Sequence, residues 1–207
     1  MLEMPPFHPN HARRQLRDRV GRDQARRLVQ QVQAQVIDDH TATLTDAEDY
    51  IGTWVGTERR KFAVKNKLEP GGGATSRLAP DDATNDIMGA KGEYACSILL
   101  NLYWRPTIGQ TDKPDVGGCI ESRTTRRHKG HLIVPPNYKN VPYVLMLELD
   151  RYNYKFLGWL HGSDVASRFK LENRNNAPAY WVPQSTPLWP YDDLLKWIYG
   201  ADRLSFS

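Results

Sequence analysis

Apolar positions recur at helical spacing near the start of the chain. Leu16, Val20, Leu28, Val32 and Val36, with Val29 beside them, predict one long helix over 11–37. A second stripe, Tyr50, Ile51, Trp54, Val55 and Phe62, follows Thr45-Asp46-Ala47-Glu48, whose spacing is that of a capping box. Arg59, Arg60, Lys61, Lys65 and Lys67 gather at its far end, where positive charge suits the helix dipole. These two helices are expected to form an antiparallel hairpin ahead of the main domain. From 69 to 80 the period is lost around Gly71-Gly72-Gly73, which reads as a linker. A third helix, over 82–103, carries Ile87, Met88, Tyr94, Ala95, Ile98, Leu99, Leu102 and Tyr103 as its buried stripe.

After Arg105-Pro106 the pattern turns to strands. Segments 119–125, 131–134, 143–149 and 154–160 are short and rich in β-branched and aromatic residues. Pro135-Pro136-Asn137 and Asp150-Arg151-Tyr152-Asn153 separate them. A short helix near 163–169, a strand-like Tyr180-Trp181-Val182 and an amphipathic helix over 191–199 complete the reading. The expected fold class is α/β, with a mixed, largely antiparallel central sheet flanked by helices and preceded by the helical hairpin. The expected domains are a basic helical region 1–68, a linker 69–81 and an α/β domain 82–207.

The chain of 207 residues is 40% hydrophobic and 25% charged, enough to bury a core and too apolar for global disorder. No run approaches a membrane span, and the first residues lack the apolar stretch of a secretion signal. Two cysteines, Cys96 and Cys119, exclude a disulfide framework. A cytoplasmic protein, with no membrane partner, is therefore expected. The net charge is +4, and its distribution says more than its size. Arg13, Arg14, Arg17, Arg19, Arg22, Arg26 and Arg27 crowd the first predicted helix against Asp18 and Asp23. That run is either a solvated face or a phosphate-contacting one, for which the guanidinium fork is suited.

Candidate chemistry lies around the first strand. Asp115 sits in a turn leading into it, and Glu121 and Arg123, two apart, project to one face while Ile120 and Ser122 project to the other. Glu93 lies on the third helix beside small residues (Gly89, Ala90, Cys96 and Ser97) that let a helix approach a sheet closely. Acids with a neighbouring cation suit a divalent-metal site for phosphodiester cleavage, because magnesium prefers hard oxygen ligands. Taken singly, Asp115 organises a turn, Glu121 and Arg123 form a same-face ion pair, and Glu93 is an ordinary helix residue. The run Arg126-Arg127-His128-Lys129 follows the strand as a phosphate clamp or a solvated hairpin tip, and Gln184 is a further polar contact.

Gly89-Ala90-Lys91-Gly92-Glu93-Tyr94-Ala95, Pro114-Asp115, Glu121-Ser122-Arg123-Thr124-Thr125, Gly158-Trp159-Leu160-His161-Gly162 and Tyr180-Trp181-Val182-Pro183-Gln184-Ser185 together resemble the PD-(D/E)XK nuclease superfamily. The likeness spans roughly half the chain and is greatest to small phage or prophage members. It implies a restriction-endonuclease-like core and a metal-dependent nuclease acting on DNA. By that resemblance Asp115 and Glu121 hold Mg2+ (or Mn2+), the Ser122 carbonyl completes the shell, and Glu93 assists. Arg123 stands where the superfamily has lysine. Arginine stabilises developing charge but cannot serve as a base, so Lys113 or Lys129 is a candidate source of an amine. Arg13, Arg14, Arg17, Arg126, Arg127, Lys129 and Gln184 are the expected DNA contacts. The competing readings are a non-catalytic DNA-binding protein on the same fold, and a structural phage protein that forms a homo-oligomer through its N-terminal helices.

Overall fold

Helix α1 (Asp46–Lys65) starts at the capping box. The Thr45 hydroxyl accepts the Glu48 N–H at 3.3 Å, and Glu48 Oε2 accepts the Thr45 N–H at 2.8 Å. Two donors that a helix start leaves orphaned are thus satisfied. A short strand, β1 (Thr41–Thr43), precedes it. This structure, a computed structural model, describes residues 40–66, 81–109, 113–174 and 177–200. The predicted first helix, with Arg13, Arg14 and Arg17 and any oligomer contact it makes, lies outside the described residues.

Helix α2 (Asp81–Leu99) ends a turn earlier than its apolar stripe predicts. Asn101 takes the left-handed conformation (φ 48°), and the Leu102 N–H reaches back to the Ser97 carbonyl at 2.9 Å. That pattern closes a helix whatever the following residues are. Helices α1 and α2 touch backbone to backbone. A Cβ at Gly56 would stand 2.4 Å from the Ile87 Cα, so only glycine permits the approach. The sequence reading assigned α1 to an N-terminal region ending at 68. The helix instead packs within one compact unit that runs from Asp38 onward.

The strands are β2 (Glu121–Thr125), β3 (Leu132–Val134), β4 (Pro142–Glu148), β5 (Asn153–His161), β6 (Leu171–Arg174) and β7 (Ala177–Val182). They form two sheets rather than one. The larger has the order β1-β5-β4-β2, and the smaller has the order β3-β7-β6. Strands β4 and β5 make the expected antiparallel hairpin, and β1 adds antiparallel to β5. Strand β2 runs parallel to β4 at the sheet edge. Parallel pairing needs a crossover, and here β3 makes it by leaving for the second sheet. Short helices α3 (Gly162–Arg168) and α4 (Tyr191–Tyr199) complete an α/β fold with a mixed sheet.

The larger sheet is covered on both faces. On one face Val144, Met146 and Trp159 pack with Ala95, Cys96 and Leu99 of α2 and Leu194 of α4. On the other, Tyr143, Leu145 and Leu160 pack with Leu132, Val134 and Val182 of the smaller sheet. Strand β4, buried on both sides, is accordingly an unbroken apolar run from Tyr143 to Leu147. Helix α4 is tied to the end of α2. The Tyr191 hydroxyl donates to the Leu99 carbonyl, and the Tyr199 hydroxyl donates to the Leu100 carbonyl at 2.7 Å. Among the described residues no helix is long and apolar enough to cross a membrane.

Candidate functional site

Three separate devices bring Glu93, Asp115 and Glu121 to the start of β2. The first is a tight reversal. Val116 bridges to both Trp104 and Ile120, with Gly117 and Gly118 between at φ 60° and 70°, where a side chain would be strained. The reversal lays Asp115 along the strand, and its Oδ2 accepts the Ser122 N–H at 3.3 Å. That donor is available because β2 is an edge strand. The second device is strand alternation, which puts Glu121 and Arg123 on one face. The third is close helix packing. A Cβ at Gly92 would stand 1.9 Å from the Thr124 Oγ1, so α2 presses on β2 there. Glu93 follows immediately. Gly89, expected to share this role, has open space around it.

Acids and cations then alternate in one array. Glu93 takes a two-pronged bond from Arg59, at 2.6 and 2.7 Å, and a third from the Trp104 indole N–H at 3.1 Å. Arg59 is itself fixed by its Nε donating to the Thr107 carbonyl at 2.9 Å. The Arg123 guanidinium donates to Glu121 at 3.1 Å and to the Ser122 carbonyl at 2.9 Å, and lies 3.6 Å from Asp115. Lys139 Nζ reaches the other oxygen of Glu121 at 2.5 Å and the Lys113 carbonyl at 2.8 Å. The Tyr143 hydroxyl holds that lysine's turn in place by accepting the Lys139 N–H at 3.0 Å.

Charge in the array is unevenly shared. Burial pushes the Asp115 carboxyl well above the usual range, and the nearby charges of Glu93 and Glu121 push it further. Arg123 and Arg59 offset this only in part. Burial works against the charge of both arginines, yet the carboxylates more than restore it. On the opposite face of β2, Cys96 is fully buried, and burial raises its thiol far above an ordinary one.

Among the described residues no group of three or more His, Cys, Asp or Glu is arranged to hold a metal. The donors that the resemblance implies nevertheless meet at one point. Asp115, Glu121 and the Ser122 carbonyl are hard oxygen donors of the kind a divalent ion prefers, and all three face the Arg123 guanidinium. The donor chemistry fits such an ion, and a side-chain cation stands among the donors.

The other predicted residues are placed elsewhere. Arg126, Arg127 and Lys129 form a turn at the far end of β2, and Arg126 pairs with Glu148 there. Gln184 donates its amide to the Arg127 carbonyl at 3.2 Å, so it belongs to that turn and not to the acids. Arg126 also lines an open cavity of ≈ 650 Å³ with Thr53, Lys91, Glu148 and Arg151. Lys113 meets the array through its carbonyl, and Lys129 is in the distant turn, so the amine at the acids is Lys139. Sequence reasoning missed Lys139, Arg59 and Trp104. Arg59 was legible as a basic helix end, but no local pattern links it to a carboxylate 34 positions away.

Scans against protein-family models, curated proteins and solved structures find no match to this chain.

Proposed function

We propose that this chain is a metal-dependent nuclease that hydrolyses DNA phosphodiester bonds on a restriction-endonuclease-like core. One observation carries the reading. Glu93, Asp115 and Glu121, singled out from sequence as a set, come from a helix, a turn and a strand and stand in one array with Arg59, Arg123 and Lys139.

Asp115, Glu121 and the Ser122 carbonyl would hold Mg2+ or Mn2+, which when bound polarises a phosphoryl oxygen and acidifies water. Arg59 and Trp104 fix the Glu93 carboxylate, whose charge is felt at Asp115. Arg123 faces the position of the phosphate oxygens, where a guanidinium steadies developing negative charge. Lys139 is the amine among the three cations, the other two being arginines, which stay charged at every pH of interest. It therefore takes the amine role that Arg123 cannot. Arg126, Arg127 and Lys129 would meet the phosphate backbone further along the duplex, and such contacts weaken steeply with salt.

One feature favours a second reading, a DNA-binding protein that does not cut. Each acid of the array already has a cationic partner. Incubating linear and supercoiled DNA with the wild type and Glu121→Gln, in Mg2+, Mn2+ or EDTA, separates the two. The nuclease reading expects cutting that needs metal and is lost in the variant. Salt-sensitive binding without cutting by either protein would favour the second.

A further inference from the structure

The guanidinium of Arg123 stands among the oxygens that a divalent ion would need. It meets Glu121 at 3.1 Å, the Ser122 carbonyl at 2.9 Å and Asp115 at 3.6 Å. The guanidinium fills the side on which these oxygens converge, and its positive charge there opposes the entry of a divalent ion. We infer that Arg123 is a built-in counter-ion that must leave this cradle before a divalent cation enters, and that a phosphate group is what draws it out. The inference rests on the proposed nuclease reading and supplies its order of assembly.

Arg123 is held in the cradle by only two hydrogen bonds. Its contact with Asp115 is too long for a hydrogen bond, and one of its two good bonds is to the carbonyl next to it in sequence. Its side chain is 32% exposed while that of Glu121 is 4% exposed, so it has a path to solvent that its partner lacks. The guanidinium carbon lies over the Tyr143 ring, 5.4 Å from its centroid, a contact that favours the charged form.

Charge balance sets the sequence. Glu93, Asp115 and Glu121 are matched one for one by Arg59, Arg123 and Lys139. With every carboxyl counted as ionised, the array is neutral while Arg123 is in place and offers a dication little. With Arg123 withdrawn onto a phosphate the remaining groups carry one excess negative charge. A divalent ion then reverses that sign, which in turn favours the phosphate. Cation and phosphate binding are therefore linked, and linkage runs equally in both directions.

The test is Mn2+ binding to the full chain, read from the free-ion electron paramagnetic resonance signal. Wild type is compared with Arg123→Ala and with Arg123→Gln, which keeps hydrogen-bonding capacity if the alanine variant unfolds. Thymidine 3′,5′-bisphosphate serves as the phosphate probe, because it has no diester to cut, and its own Mn2+ uptake is subtracted. The expected result is binding about tenfold or more tighter in the variants than in wild type, a difference of one decade in Kd. The bisphosphate should tighten Mn2+ binding in wild type and leave the variants nearly unchanged. Adding Glu121→Gln to either variant should remove the gain. Equal and measurable affinity in wild type and variants would overturn the inference while leaving a metal-dependent nuclease standing. No Mn2+ uptake by any folded variant would overturn both.

Discussion

Lys91 and Glu93 lie two residues apart on α2 and so project to nearly opposite sides of the helix. Each meets a buried ion-pair cluster, and the two clusters are built differently. On the Lys91 side one carboxylate, Asp49, takes Lys91 and also Arg151, the latter at 2.8 and 3.1 Å. Burial works against the Asp49 charge, but the bonds from Arg151 and Lys91 prevail and hold the carboxyl below its usual range. On the Glu93 side three carboxylates stand with three cations, and burial, with the charges of Glu93 and Glu121 added, drives Asp115 well above its usual range. The same residue types thus make a lock that holds its carboxyl ionised on one side and an array that raises one carboxyl on the other. Burial of charge alone does not single out either cluster; the carboxyl held against its own preference makes the Glu93 side the candidate site.

The sharpest way to break this contrast is Asp49→Asn. It strands Lys91, whose side chain is only 8% exposed. Loss of one partner in a buried pair should lower unfolding free energy by about 3 kcal/mol, read by urea denaturation. An unchanged midpoint would mean that Asp49 is not a lock. Next in size is the packing that sets Glu93. Gly92→Ala drives a methyl into Thr124 and should cost about 1–3 kcal/mol by overpacking. Gly89→Ala, in open space on the same helix, should gain about 0.5–1 kcal/mol from helix propensity. Equal effects at the two glycines would show that α2 does not press on β2 at Gly92.

The pH dependence should also split the clusters. Asp49, with its pKa below the ordinary 3.8, contributes stability that is complete above that value and is lost as pH falls through its folded pKa. Asp115 has the opposite sign. Its folded form binds the proton more tightly than the unfolded chain does, so its contribution falls as pH rises from about 4 to its raised pKa and is level beyond. Unfolding measured across this range on Asp115→Asn should show that this downward slope has gone. A slope identical to wild type would place it on another group.

Much of this was legible in the sequence because it is local. The capping box at Thr45, the stripe of α2 and the bounds 191–199 of α4 depend on residues a few positions apart. The candidate acids were legible for the same reason, from strand alternation and a turn before a Gly-Gly pair. The two-sheet split was not. Strand β3 reads like any other β-branched run, and only Trp181 and its neighbours in β7, some fifty positions on, take it out of the first sheet. Lys139 was hidden likewise, since its approach to Glu121 depends on the parallel register of β2 and β4. Gly56 carries no local sign of a partner helix.

The contrast between the clusters turns on Asp115, whose buried carboxyl binds its proton more tightly in the fold than in the unfolded chain. Urea unfolding of Asp115→Asn against wild type near neutral pH tests that most directly. The expected result is a variant at least as stable as wild type, since the amide brings no charge to bury. A loss of the size expected for Asp49→Asn would contradict it and make Asp115 a second lock.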